Sequence, residues 1–154
     1  MPTKIYQMKY TRFIAFFTLA IVSLFLILVS CNKDGDSDGL TEADKTTIAN
    51  YVEQEQLNGQ YTNSGLYYEI QVPGTSNHPT INSNITVSYK GYYTDGTVLD
   101  EGEFFSSFLY YLIRGWQEGI PYIGEGGKIK LVIPSYLAYG NGVLVFDVTL
   151  HYFQ

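Results

Sequence analysis

"ITVSYKGYYTDGTVLDE", residues 85–101, decides the fold class. Apolar and polar side chains alternate along residues 85–93, which is the two-residue period of a strand with one buried face. The segment "TDGT" at 94–97 then supplies a turn, and extended chain resumes at Val98. The stretch therefore predicts two strands joined by a tight turn.

The same period recurs on both sides of this stretch. "LYYEIQV" at 66–72, "KIKLVI" at 128–133 and "LVFDVTLHY" at 144–152 all alternate in the same way. Their predicted inward-facing residues are Leu66, Tyr68, Ile70, Val72, Ile129, Leu131, Ile133, Leu144, Phe146, Val148, Leu150 and Tyr152. No helical pattern longer than about two turns follows residue 60. These patterns predict an α+β fold that is mostly an antiparallel sheet with little helix.

A short amphipathic helix is predicted before the sheet, over residues 42–57. Thr41 is a suitable N-cap, and acids follow it in the first turn, where the helix dipole favours them. Asn58-Gly59 would close the segment. One face would carry Ile48, Tyr51 and Val52. We expect this helix to serve as a packing or spacer element, not a catalytic one.

The first 30 residues have the pattern of a secretory signal peptide. Lys4, Lys9 and Arg12 precede an apolar run over residues 13–29. A transmembrane anchor is the alternative, because this run reaches the lower length limit for spanning a bilayer. Translation could start at Met1 or at Met8, since either start leaves a basic segment before the apolar run.

The apolar run ends at Leu28-Val29-Ser30-Cys31, which resembles the lipobox of bacterial lipoproteins. That resemblance implies that the peptide is cut before Cys31 and that the thiol of this cysteine is acylated. Cys31 is the only cysteine, so no disulfide can form within the chain. We expect a lipid-anchored protein of the cell envelope. The outer membrane is favoured, and its periplasmic and surface faces both remain open.

Residues 31–40 read as a flexible acidic tether, because they are polar and rich in glycine. The tether could be a solvated spacer or the export tag of a surface-exposed lipoprotein. Its alternating aspartates at 34, 36 and 38 resemble half of a calcium loop, but no glutamate closes that loop. We therefore expect no metal and no cofactor.

The charge that remains after residues 1–30 are removed bears on the choice of partner. Six basic and fifteen acidic side chains give the mature chain a formal net charge of −9. Phosphate backbones repel such a protein. Nucleic acid is not an expected partner.

Four stretches, in this order, resemble the FKBP-type peptidyl-prolyl cis-trans isomerases. They are "VSYKGYYTDGTVLDE" (87–101), "LIRGWQEGI" (112–120), "GEGGKIKLVIPSYLAYG" (124–140) and "LVFDVTL" (144–150). The resemblance implies an antiparallel sheet curled around one short helix, with an apolar pocket between them. The expected organisation is a signal peptide (1–30), the tether (31–40), an N-terminal helical segment (41–60) and an FKBP-like domain (61–154).

The resemblance also implies the residues of the pocket. They are Tyr89, Asp100, Phe105, Leu112, Ile113, Trp116, Tyr139 and Phe146. Trp116 would form the floor, and the N–H of Ile113 and the hydroxyl of Tyr139 would bind substrate carbonyls. Asp100 would be the one charge at the rim. Phe104 or Phe108 could take the place of Phe105, because the aromatic run around it aligns loosely.

Two departures from the family pattern concern the pocket wall. Leu99 stands where an aromatic residue is usual, and the loop at 140–143 is shorter than in most members, so it would leave the pocket open. Gly140-Asn141-Gly142 suits a tight turn. The resemblance implies an isomerase of X-Pro bonds in exported proteins, weakened by this loop, with proline-containing segments as partners. The alternative is a non-catalytic peptide-binding or interaction lipoprotein on the same fold.

Overall fold

A computed structural model describes residues 39–154 of the chain. The predicted signal peptide, the predicted lipidation site at Cys31 and the predicted tether up to residue 38 lie outside the described residues. Between residues 39 and 154, no helix is long and apolar enough to cross a bilayer.

One antiparallel sheet of six strands organises the described chain. The strands are β1 (Gln60–Tyr61), β2 (Tyr67–Val72), β3 (Asn84–Tyr93), β4 (Val98–Phe108), β5 (Lys128–Ile133) and β6 (Leu144–Phe153). Their order across the sheet is β1-β2-β5-β6-β3-β4. The helices are α1 (Glu42–Gln54) and α2 (Arg114–Gly119). The predicted α+β class and the antiparallel sheet are confirmed.

Helix α2 packs against one face of the sheet and closes the main core. Its only large buried side chain, Trp116, joins the inward-facing residues of β3, β5 and β6 in that core. Gly115 and Gly119 let the helix approach β5 closely. A Cβ at Gly115 would lie 2.4 Å from Cγ2 of Ile133, and one at Gly119 would lie 2.5 Å from Cδ2 of Leu131. Pro121 follows in a 3₁₀ turn, so the helix ends early.

Helix α1 packs against the opposite face, where Ile48 and Tyr51 meet a second apolar cluster that includes Val132 and Val145. Because successive strand residues point to opposite faces, the end of β5 (131–133) and the start of β6 (144–146) are buried on both sides. The buried carboxylate of Asp44 in α1 accepts hydrogen bonds from the N–H (3.2 Å) and the hydroxyl (2.6 Å) of Ser135. Helix α1 is thereby attached to the segment that leads to Tyr139.

The predicted end of α1 at residue 57 is wrong by three residues. The helix ends at Gln54, and Gln56 takes a positive φ of 53° that turns the chain. Leu57 then folds back, and its N–H donates to the carbonyl of Val52. The apolar side chain of Leu57 packs against the second cluster.

Three predicted core positions are exposed instead. Ile70 and Val72 lie on β2 beyond the two residues that β1 covers, so this part of the strand is an open edge. Tyr152 follows a bulge at which Val87 pairs with Leu150 but Thr86 pairs with Tyr152. The extra residue reverses the direction of later side chains. Phe153, not Tyr152, therefore packs on the core.

Candidate active site

A pocket of ≈ 460 Å³ opens beside the N-terminus of α2. All eight residues implied by the family resemblance line it, and Leu99 and Tyr111 complete its wall. These residues come from β3, β4, β6, α2 and the two segments that precede α2 and β6. Groups distant in sequence therefore converge on one cleft.

Three aromatic rings form the base of the pocket. The Trp116 side chain is only 4% exposed, and its ring meets those of Tyr89 (5.1 Å between centroids) and Phe146 (5.3 Å) edge to face. Gly91 makes this packing possible, because a Cβ there would lie 2.3 Å from Cε1 of Phe146. The indole N–H of Trp116 is buried and has no hydrogen-bond partner in residues 39–154. Because the rest of the base consists of packed aromatic rings, it is largely apolar.

A bulge in β4 explains why two consecutive residues line the same wall. Gly91 pairs with Asp100, whereas the next residue, Tyr92, pairs with Val98, so Leu99 is the extra residue. In a regular strand, Leu99 and Asp100 would point to opposite faces. Here both line the pocket. Leu99 supplies an apolar wall where the family usually has an aromatic ring.

A second bulge in β4 selects the phenylalanine of the pocket. Val87 pairs with Phe105 and Tyr89 pairs with Gly102, so one extra residue is inserted between them. Phe104 adopts a positive φ of 51° there, which is uncommon for a bulky side chain. Its ring stacks on His151, 4.4 Å away, while Phe105 lines the pocket. Neither Phe104 nor Phe108, the two alternatives, lines the cleft.

The polar part of the wall is a hydrogen-bonded pair. The Tyr89 hydroxyl donates to Oδ2 of Asp100 at 2.7 Å, and Oδ1 of Asp100 accepts from the N–H of Glu101 at 3.0 Å. Burial raises the pKa of Tyr89 to about 12, and the hydrogen bond to the carboxylate adds to this rise. The carboxylate is thus already engaged, and its geometry favours a structural role at the rim.

The raised pKa of Tyr89 predicts a loss of stability in alkali. The protonated hydroxyl is favoured in the folded state, so its contribution is complete below the unfolded pKa near 10 and is lost as the pH rises towards about 12. We expect the difference in free energy of unfolding between wild type and Tyr89→Phe to shrink between pH 9 and pH 11.5. Urea unfolding at both values measures it. An unchanged difference would contradict this assignment.

The groups expected to bind substrate carbonyls stand at the mouth of the pocket. Ile113 is the N-cap residue of α2, and its N–H makes no hydrogen bond with any acceptor in residues 39–154. The Tyr139 side chain is 65% exposed and lines the pocket. It follows a 3₁₀ turn, after which the N–H of Gly140 donates to the carbonyl of Ser135 at 2.9 Å. Both positions are accessible to a peptide.

The chain bends at residues 140–142, where a tight turn was predicted, and no backbone hydrogen bond closes this bend among the described residues. Gly140 and Gly142 have positive φ values of 80° and 83°, which glycine adopts without steric cost. A Cβ added at either glycine would meet nothing within 4 Å. Val143 then enters the second apolar cluster, under α1. The bend points into open space, and its residues do not line the pocket.

Two residues around the pocket were missed by sequence reasoning. Tyr111 lines the wall, and Gln117 fixes the turn before α2 by donating to the carbonyls of Leu112 (2.7 Å) and Tyr110 (3.0 Å). The aromatic run before α2 was the available signal for Tyr111, but it has no clear period. The role of Gln117 depends on a backbone turn that side-chain patterns do not encode.

Comparison with known proteins agrees with this geometry. The model of the family "FKBP-type peptidyl-prolyl cis-trans isomerase" matches residues 75–151. FkpA of Buchnera aphidicola (Schizaphis graminum) is 43% identical over 103 residues, covering 58% of this chain and 41% of FkpA. FkpA of Escherichia coli K12 is 41% identical over 102 residues, covering 58% and 38% of the two chains.

A solved structure gives the same result. The crystal structure of FkpA from Escherichia coli matches with a TM-score of 0.66 at 28% identity, covering 100% of this chain and 73% of that one. The chain spans about two fifths of the length of the two curated relatives, 41% and 38%. Because the matched segment, the fold and the pocket all agree, the chain belongs to the FKBP-type peptidyl-prolyl cis-trans isomerase family.

Proposed function

We propose that this protein is a peptidyl-prolyl cis-trans isomerase that acts on X-Pro bonds of exported proteins. The observation that carries the proposal is the convergence of the eight pocket residues around the buried ring of Trp116. The pocket offers an apolar base, carbonyl-binding positions at its mouth and one engaged carboxylate. Such a site suits the binding of a proline ring and rotation about the X-Pro bond that precedes it.

Rotation about an X-Pro bond needs little chemical machinery. The barrier of about 18–20 kcal/mol arises from amide resonance, and no covalent bond is made or cleaved. The planar amide is more charge-separated than the twisted one, so an apolar pocket favours the twisted state. The rings of Tyr89, Trp116 and Phe146 supply that environment. A site that binds the twisted state more tightly than the planar state lowers the barrier to rotation, and this difference in binding is the catalysis.

The two groups at the mouth would hold the peptide while the bond turns. The N–H of Ile113 and the hydroxyl of Tyr139 can each donate to a peptide carbonyl. The segment at 140–143 leaves the outer side of the proline ring in contact with water. Each 1.36 kcal/mol of lost transition-state binding costs a factor of ten, so we expect activity roughly ten- to hundredfold below that of a relative with a longer loop.

An isomerisation assay with proline-containing peptides tests the proposal. We expect the wild type to accelerate cis-trans exchange and Tyr139→Phe to lower kcat/KM about two- to tenfold, because one hydrogen bond to a substrate carbonyl is lost. Tyr139 is exposed, so the substitution should leave the fold intact. Tyr152→Phe is the matched control, since Tyr152 is an exposed tyrosine that does not line the pocket.

The assay also separates the enzyme from a binding module. If the wild type binds the peptide but does not change its exchange rate, the isomerase proposal fails and a non-catalytic peptide-binding protein takes its place. If Tyr139→Phe and Tyr152→Phe lower kcat/KM equally, the role assigned to the Tyr139 hydroxyl is wrong.

We also propose that the mature protein is anchored in the cell envelope by lipid on Cys31. The support is the lipobox-like sequence at 28–31 after an apolar run. Mass spectrometry of protein purified from its native membranes should find an N-terminal peptide that begins at Cys31 and carries acyl chains. Cys31→Ser should remain unacylated and uncleaved. An unmodified chain that starts at Met1 or Met8 would contradict the anchor.

A further inference from the structure

Three exposed aromatic side chains stand together beside the pocket. Phe108, Tyr110 and Tyr111 are 43%, 45% and 69% exposed. The ring centroids of Tyr110 and Tyr111 are 3.9 Å apart, and Phe108 lies 5.9 Å from Tyr110 and 6.4 Å from Tyr111. We call these three residues the aromatic shelf. Contiguous exposed apolar surface of this kind commonly marks an interaction site.

The backbone beneath the aromatic shelf is held in place. Leu109 is fully buried in the main core, and its N–H donates to the carbonyl of Ser83 at 2.9 Å. Gln117 holds the other end of the turn through the carbonyls of Tyr110 and Leu112. The three rings are therefore presented on a fixed turn, which lowers the entropic cost of binding a partner.

The aromatic shelf is continuous with the pocket. Tyr111 belongs to both, because it lines the cleft and meets the ring of Tyr110. Ile113, whose N–H stands at the mouth, follows Tyr111 by two residues. An extended peptide advances about 3.3–3.6 Å per residue. A side chain one or two residues away from a proline in the pocket can therefore reach the shelf.

We propose that the aromatic shelf binds an aromatic side chain of the same peptide whose proline occupies the pocket. The side chain belongs to the half of the peptide that leaves the pocket past Ile113. This inference rests on the proposed function and names a specificity determinant for it. Ring-on-ring contacts of this size are worth roughly a three- to tenfold gain in affinity.

A peptide series tests the aromatic shelf. The peptides share the same X-Pro bond and carry either Phe or Ala two residues before, or one or two residues after, the proline. We expect the wild type to favour Phe over Ala roughly three- to tenfold in kcat/KM, on one side of the proline only. The double variant Phe108→Ala/Tyr110→Ala should bring this ratio to about 1. It leaves Tyr111 in the pocket wall.

Tyr152→Ala is the matched control, because it removes an exposed ring that lies outside the pocket and the shelf. It should keep the wild-type Phe/Ala ratio. A ratio of 1 in an active wild type, or a ratio that the double variant retains, would overturn the proposal. Circular dichroism of each variant checks that the fold is intact.

Binding measurements separate this proposal from the proposed function. If no peptide is isomerised, the proposed isomerase function fails. The aromatic shelf can still be tested by the Phe/Ala ratio of peptide dissociation constants, which fluorescence anisotropy measures. Two other occupants would overturn it. One is a second copy, shown by self-association that the double variant abolishes. The other is a membrane. In that case the unacylated chain would bind anionic lipid vesicles, and the double variant would abolish this binding but leave the Phe/Ala ratio unchanged.

Discussion

Trp116→Ala is expected to lower the free energy of unfolding by about 3–5 kcal/mol, the usual cost of truncating a buried aromatic ring. The same change should abolish measurable isomerisation, because it removes the centre of the pocket base. Trp116 is 4% exposed and contacts both Tyr89 and Phe146. Urea unfolding and the peptide assay measure the two effects on the same preparation.

The variant Trp116→Phe distinguishes the contribution of ring packing from the contribution of the indole N–H. Because that N–H has no hydrogen-bond partner in the described part of the chain, its removal forfeits no hydrogen bond within that part. We expect Trp116→Phe to be destabilised less than Trp116→Ala and to retain part of the activity. An inactive but stable Trp116→Phe would mean that the N–H itself contacts the substrate, which would overturn a purely apolar role for this residue.

Gly115→Ala is expected to destabilise the fold by about 1–3 kcal/mol, although alanine is the better helix former. Its Cβ would lie 2.4 Å from Cγ2 and 2.8 Å from Cδ1 of the buried Ile133, so α2 must move away from β5. The shift carries Trp116 out of the pocket base. We expect kcat/KM to fall about tenfold, the equivalent of 1.36 kcal/mol in the transition state.

A double-mutant cycle with Ile133→Ala tests this steric account. Removing Cγ2 and Cδ1 of Ile133 relieves the clash, so the two substitutions together should destabilise less than the sum of their separate effects. Additive effects would show that the cost of Gly115→Ala arises elsewhere, for example in the backbone at the start of α2.

The periodic parts of the sequence predicted the sheet well because a buried face imposes alternation. Ile129, Leu131 and Ile133 are all buried, as their spacing indicated. One error, at Tyr152, falls where an extra residue shifts the register. The bulge before Tyr152 turned that ring outward, and no local composition distinguishes such a bulge from regular strand. Bulges depend on which residues the neighbouring strand offers, and that is a property of the fold.

The pocket was predictable to a different extent. Its eight residues followed from the family resemblance, and they line one cleft. Neither propensity nor periodicity could have assembled them, since the cleft joins segments separated by more than fifty residues. The aromatic shelf could not be predicted from the sequence for a related reason. Burial of Leu109 and exposure of its aromatic neighbours depend on a single 3₁₀ turn at Leu109–Tyr111.

The irregularity of β4 has a consequence for solubility. This strand pairs only with β3, so one edge of an eleven-residue strand is open to other chains. Open edges template aggregation when their N–H and C=O groups form a long regular row. Here the bulges at Leu99 and Phe104 interrupt the row, and the charges of Asp100, Glu101 and Glu103 lie between them. If the protein acts on unfolded segments as proposed, it can thus hold them beside an exposed edge without nucleating a shared β-structure.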